Sequence, residues 1–166
     1  AFTLVEVLIT IFILGVIGVV MADLLARSFK NNNEIQLSST LKQNGQTALN
    51  IMDQAIRNSD SIVCISGFTN PPLSNRIIMV RKDNIFTRFI MYPPTTTSNG
   101  AIIKDSPTIS DPSSEELVTQ ACDSSIANGN ALTNTDTQAG VSLINGSFTL
   151  QGNNAVTIQF TLGPPV

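Results

Sequence analysis

The chain contains no histidine and no tryptophan. Without histidine, Ser-His-Asp and Cys-His catalysis are excluded, and so are zinc sites that use imidazole. Charge is also scarce: Asp, Glu, Lys and Arg make up 13% of the 166 residues, against 42% apolar. Carboxylate-only chemistry remains open, yet no segment pairs carboxylates in an obvious cleft. Glu115-Glu116 is the densest acidic pair. Adjacent residues do not share one face of a helix or strand, so the pair reads as an exposed loop edge. Nine basic residues against twelve acidic ones leave a net charge of −3. That is the wrong sign for a nucleic-acid surface, which needs clustered Lys and Arg. Only Arg81-Lys82 are adjacent, in what reads as a solvated turn. No catalytic constellation, metal motif or cofactor motif is present. An enzyme is therefore the class with least support, no cofactor is expected, and no direct nucleic-acid binding is expected.

Cysteine occurs only at Cys64 and Cys122. In an exported domain these two would most simply pair with each other. The alternative is two buried thiols that never meet. Closing a loop of that length contributes roughly 4 kcal/mol in the chain-entropy model when native strain is small.

What the chain does have is a long apolar run. Between residues 2 and 22 the only non-apolar, non-glycine side chains are Thr3, Glu6 and Thr10. As a helix this run would span about 31 Å, the thickness of a bilayer core. It has no basic region before it and no small-x-small cleavage site after it, so it reads as retained rather than as an intact secretory signal. Glu6 does not suit an ordinary anchor, because an unpaired carboxylate in hydrocarbon is costly. The first cation along the chain is Arg27, more than five turns away. The partner of Glu6 is therefore expected from another molecule or from a free α-amino group. Gly15 and Gly18 carry two readings: close packing of helices through small residues, or a weak point where the helix unwinds locally.

Phe2-Thr3-Leu4-Val5-Glu6-Val7-Leu8-Ile9 resembles the cleavage and methylation motif of type IV prepilins and type II secretion pseudopilins. The resemblance implies that a prepilin peptidase removes a basic leader and that the new N-terminus is methylated. It also implies that the glutamate pairs with a neighbouring subunit's N-terminal amine during assembly. Ala1, Phe2 and Glu6 are then the assembly residues, and Gly15 and Gly18 the points of helix flexibility. One departure stands out. In most members the aromatic residue opens the mature chain, whereas Ala1 precedes it here. Either processing occurs one residue earlier, or Ala1 belongs to the leader.

Beyond the apolar run, Asp23 and Arg27, and likewise Asp53 and Arg57, stand at i,i+4 and support an exposed helix face. The apolar stripe Leu37, Leu41, Ala48, Met52, Ala55, Ile62 keeps helical spacing, with Asn44 or Gly45 in its gap. Leu49 and Ile56 widen the stripe where a head would pack. One helix is expected from Phe2 to about Asp60, weakest at Asn31-Asn32-Asn33, where a bend or frayed turn is expected. Gly67 and Pro71-Pro72 exclude further helix. Short strands are expected at residues 62–65, 76–80 and 85–92, the last two forming a hairpin around residues 81–84. Residues 95–100 and 104–114 read as loops, 115–122 as a central strand, and 123–139 as a polar surface excursion. A final hairpin joins residues 141–150 and 155–162 through Gly152-Asn153-Asn154. In its last strand Val156, Ile158, Phe160 and Leu162 alternate with polar residues, with the late helix as their target. Asn145-Gly146-Ser147 fits an N-glycosylation acceptor, and residues 95–98 fit a modified loop tip.

The expected fold is α+β: a long N-terminal helix packed on a C-terminal antiparallel sheet. Its parts are a hydrophobic membrane and filament-core segment at 1–23, an amphipathic continuation at 24–61 and a β-rich head at 62–166. This order is also that of the resembling family. The implied role is the structural subunit of a type IV pilus filament, a homo-oligomer that also meets other pilins, the prepilin peptidase and an inner-membrane assembly platform. It would sit in the cytoplasmic membrane before assembly and in an extracellular filament afterwards. A minor pilin or pseudopilin that initiates or tips a filament is the alternative within the family. A monomeric, signal-anchored surface-binding protein is the alternative from another class, and it should show a concave aromatic site.

Overall fold

The structure, a computed structural model, describes residues 3–69, 72–124, 126, 129–152 and 155–166. Ala1, Phe2, Pro71, Asn153 and Asn154 lie outside the described residues. The architecture is α+β, a long N-terminal helix followed by antiparallel sheet. Contacts divide the chain into two units, Ala1–Ser39 and Thr40–Val166. Helix α1, Leu4–Arg57, starts in the first and ends in the second.

Thr3 begins α1: its Oγ1 and carbonyl oxygen both accept from Glu6 N, at 3.3 and 3.1 Å. This is the first half of a capping box. The helix then continues without a break through Gly15, Gly18 and Asn31-Asn32-Asn33. No frayed turn occurs at the asparagines, because helical residues on both sides carry the hydrogen bonding through. The i,i+4 ion pairs Asp23–Arg27 and Asp53–Arg57 close at 2.9 and 2.7 Å. α1 stops at Arg57 rather than near Asp60. The Ser59 hydroxyl donates to the Ile56 carbonyl, and Asp60 N donates to Arg81 O, which commits the chain to sheet pairing.

In the second unit five strands form a meander in sequence order: β1 (Ser61–Thr69), β2 (Pro72–Lys82), β3 (Ile85–Tyr92), β4 (Ala101–Asp105) and β5 (Asn130–Ala131). All neighbours are antiparallel. Helix α2, Glu115–Asp123, lies between β4 and β5 in the chain, and a separate hairpin joins β6 (Ser142–Gln151) to β7 (Ala155–Gly163). The head thus has two sheets rather than one. Asp83 and Asn84 form the β2–β3 turn with φ of 49° and 64°, the left-handed pair that suits a two-residue hairpin. Arg81 and Lys82 belong to β2, opposite Phe86 and Ile85, and not to the turn. Gly67 lies at a register shift within β1, so the glycine that ends helix does not end the strand.

The meander is covered on both faces, which explains its near-continuous apolar strands. One face presents Ile78, Val80, Phe89, Met91 and Ile102 to Ala48 and Met52 of α1 and to Leu143 and Phe148 of β6. Val156, Ile158, Phe160 and Leu162 of β7 pack against the same cluster, as their alternation requires. Gly45 fills the gap in the α1 stripe: a Cβ there would touch Leu162 at 3.4 Å. Beside it, Asn44 Oδ1 accepts from Asn134 N at 2.9 Å. Leu49 stays exposed and does not widen the stripe, whereas Ile56 packs on the core. The second face presents Ile77, Met79, Phe86 and Ile90 to Cys122, Val118 and Ala121 of α2.

Three segments depart from expectation. Residues 115–122 are helix, not a central strand. Ser114 caps α2, its Oγ accepting from Leu117 N, and Glu115 and Glu116 occupy the first turn, where the helix dipole favours them. They are therefore not a loop edge. Val118, Ala121 and Cys122 then share one helical face. Lys104 and Asp105 end β4 rather than starting a loop. Residues 123–139 are only partly a surface excursion: β5 pairs with β4, and the Thr133 hydroxyl, buried, accepts from Ile102 N.

Met52 is fully buried while Leu49, one turn earlier, is 40% exposed. Met52→Ala is expected to cost about 2–5 kcal/mol and Leu49→Ala no more than about 0.5 kcal/mol. Urea unfolding of the detergent-dispersed chain, followed by circular dichroism, measures both. Equal losses would contradict the packing of α1 on the sheet.

Candidate functional site

Every described residue from Thr3 to Asn32 is exposed, including Leu8, Phe12, Leu14, Val19 and Phe29. The N-terminal part of α1 is long and apolar enough to cross a membrane by length and composition. An exposed apolar surface of this extent marks a contact with lipid or with protein.

Its polar groups are few, and the helix itself accounts for most of them. The Thr10 hydroxyl donates to Val7 O at 2.8 Å, and Thr3 Oγ1 is occupied by Glu6 N. Thr3, Glu6 and Thr10 follow i, i+3, i+7 spacing and lie on one side of the helix. Among the described residues no cation lies within ion-pair distance of the Glu6 carboxylate. Ala1 and Phe2, expected beside it, are outside the described residues.

Gly15 stands half a turn away from Glu6 around the axis. A Cβ on Gly15 or Gly18 would meet nothing within 4 Å. No intrachain contact therefore requires glycine at either position, and the helix is not unwound there. Small residues on an apolar helix allow a second backbone to approach closely.

Cys64 and Cys122 are joined as a disulfide that ties β1 to α2, with Cα atoms 6.6 Å apart. The same end of α2 is held twice more. The Ser66 hydroxyl donates to Asp123 Oδ1. Arg88, fully buried on β3, donates from Nη1 to the carbonyls of Ala121, Cys122 and Ser124 at 2.7–3.1 Å. Its Nε and Nη2 grip both oxygens of the buried Asp105 at 2.9 and 2.6 Å. Helix α2 has no basic residue in its own last turn, so β3 supplies the cation that its C-terminal dipole favours. The sequence signal was a lone Arg inside IFTRFIMY, an apolar strand with no solvent face.

A groove of about 840 Å³ lies between the end of α1, β1 and the adjoining ends of β6 and β7, beside Ile62, Leu150 and Val156. None of its lining residues is aromatic. Among the described residues no three His, Cys, Asp or Glu side chains gather closely enough to hold a metal ion. Asn145 is exposed on β6, with its carbonyl oxygen taken by Arg76 and Gly146 N. The Thr95 and Ser98 hydroxyls bond each other at 2.6 Å in an exposed loop. Two carboxylates titrate below the usual range: Asp111, through the hydroxyl and N–H of Ser113, and Asp136, through the N–H groups of Ala139 and Gln138. Comparison with known proteins found no matching family model, no matching curated protein and no matching solved structure.

The Arg88–Asp105 clamp is expected to be strongly coupled. Asp105→Leu strands the guanidinium and Arg88→Met strands the carboxylate, each at a cost of about 3–5 kcal/mol. Combining Arg88→Met with Asp105→Leu should recover much of that loss. Thermal melts of the three variants test this, and strictly additive losses would rule out the coupling.

Proposed function

We propose that the chain is a subunit of a helical filament of the type IV pilus class, held in a membrane by α1 until it assembles with other copies. The observation that carries the reading is Glu6, an exposed carboxylate in a helix that is apolar on every other side of its N-terminal part. In hydrocarbon such a group needs a partner. A neighbouring subunit that brings a cation removes that cost, and helix contacts replace lipid contacts. Assembly is thereby favoured over remaining a monomer in the bilayer.

Three further features support the reading. Gly15 and Gly18 are open to a neighbouring backbone. The resemblance of residues 2–9 to the prepilin cleavage and methylation motif matches the position of Glu6. The Cys64–Cys122 disulfide suits a head exported to an oxidising compartment. On this reading the head lies outside the cytoplasm, first at the cytoplasmic membrane and then on an extracellular filament. The leader is removed by a prepilin peptidase, and assembly occurs at an inner-membrane platform.

Glu6→Gln is expected to leave the protein inserted in the membrane while lowering its share of sheared surface filaments at least about tenfold, equivalent to about 1.4 kcal/mol. Membrane fractionation and mass spectrometry of the filaments measure both quantities. Normal incorporation of the variant removes the proposed role of Glu6. Filaments that contain only traces of the unaltered chain assign it to an initiating or tip subunit. Its absence from filaments, with the chain still in the membrane, assigns it to an anchored surface protein.

A further inference from the structure

Two arginines are buried in the five-stranded sheet, and their surroundings differ. Arg88 meets a carboxylate and three carbonyls. Arg76, on β2 and 5% exposed, makes one hydrogen bond, from Nη2 to Asn145 Oδ1 at 2.8 Å. Its Nη1 is buried without a hydrogen-bond partner, and no carboxylate among the described residues reaches it. Burial lowers the pKa of this guanidinium, with no neighbouring anion to offset the effect. An arginine kept charged without a counter-ion is costly.

Asn145 lies directly over it at the surface. Strand β6 is irregular in register between Leu143 and Asn145. At the next position Gly146 lets the strand close on the sheet, because a Cβ there would collide with Met91 Sδ. The carboxamide oxygen of Asn145 is used twice, by Arg76 and by Gly146 N, which leaves its NH2 group free for a further acceptor. Guanidinium and carboxamide together present N–H donors and no anion.

We propose that Arg76 and Asn145 form a site for a carboxylate group. The guanidinium pairs with it in the planar, two-pronged geometry that arginine favours, and Asn145 Nδ2 donates from the rim. The carboxylate comes either from a free organic anion or from an acidic side chain of a second copy of the chain. The site does not rest on the filament reading.

The test uses the full chain dispersed in detergent, melted in sodium acetate and in sodium chloride of equal ionic strength. For a free anion, acetate raises Tm saturably by a few degrees in the unaltered protein and not in Arg76→Met. Arg76→Lys, which keeps the charge and loses the fork, also loses the response, and it serves if Arg76→Met fails to fold. For a second copy, acetate leaves Tm unchanged while both variants weaken self-association, read by sedimentation, at least tenfold. Unchanged self-association in both variants, together with no acetate effect, overturns the proposal and leaves the guanidinium satisfied by buried water.

Discussion

A helix that is apolar on every side has no stable place in water, and the rest of the molecule is arranged around that constraint. Residues 4–22 of α1 cannot bury their surface against the chain they belong to: each one is exposed. They require lipid or other helices. The same helix changes character before its end. By Ala48 and Met52 it is buried on one side only, against the sheet. The two demands of α1 fall in separate units, Ala1–Ser39 and Thr40–Val166, so satisfying one leaves the other intact. The single carboxylate within residues 4–22, Glu6, then matters more than its size suggests, since the only other polar side chain in that segment is Thr10.

The head solves a different problem. Its meander is covered on both faces, by α1 and β6–β7 on one and by α2 on the other. A nine-residue helix is too short to be stable alone. Its last turn is therefore fastened by the Cys64–Cys122 disulfide, by the Ser66–Asp123 hydrogen bond and by Arg88, which donates to its terminal carbonyls while ion-paired to Asp105 on β4. The ionic tie lies in the dry layer between α2 and the sheet. Removing one partner is costly there, whereas replacing the pair by apolar side chains need not be.

How much of this was legible in the sequence depended on how local the controlling physics was. The apolar run, the i,i+4 ion pairs and the alternation of Val156, Ile158, Phe160 and Leu162 are local patterns, and α1 and the β6–β7 hairpin follow from them. The β2–β3 hairpin was readable from its polar turn, although Arg81 and Lys82 proved to be strand residues. Helix α2 was misread because Leu117, Val118 and Thr119 suit a strand as well as a helix. Ser114, two acidic residues at the helix start and the 118, 121, 122 spacing were the signals that decided it. Strand β4 is held by distant partners, Arg88 above all, and five residues carry too little periodicity to announce that. At the candidate site, Glu6, Gly15 and Gly18 were legible because an apolar background makes any exception visible. Arg76 and Arg88 were not, because an arginine in a strand reads as solvated until both faces of the sheet are known to be covered.

The charges of α1 have a consequence at larger scale. Glu6, Asp23, Glu34 and Asp53 are cancelled by Arg27, Lys30, Lys42 and Arg57, so the net −3 of the chain resides wholly in the residues that follow the helix. An array built through α1 would lengthen without accumulating charge among its helices, while each added copy brings three negative charges in its head. Such arrays repel one another sideways at low ionic strength and lose that repulsion once the screening length falls below the spacing of their surfaces. Bundling would then be governed by salt and polyvalent cations in the medium, independently of whatever holds the helices together.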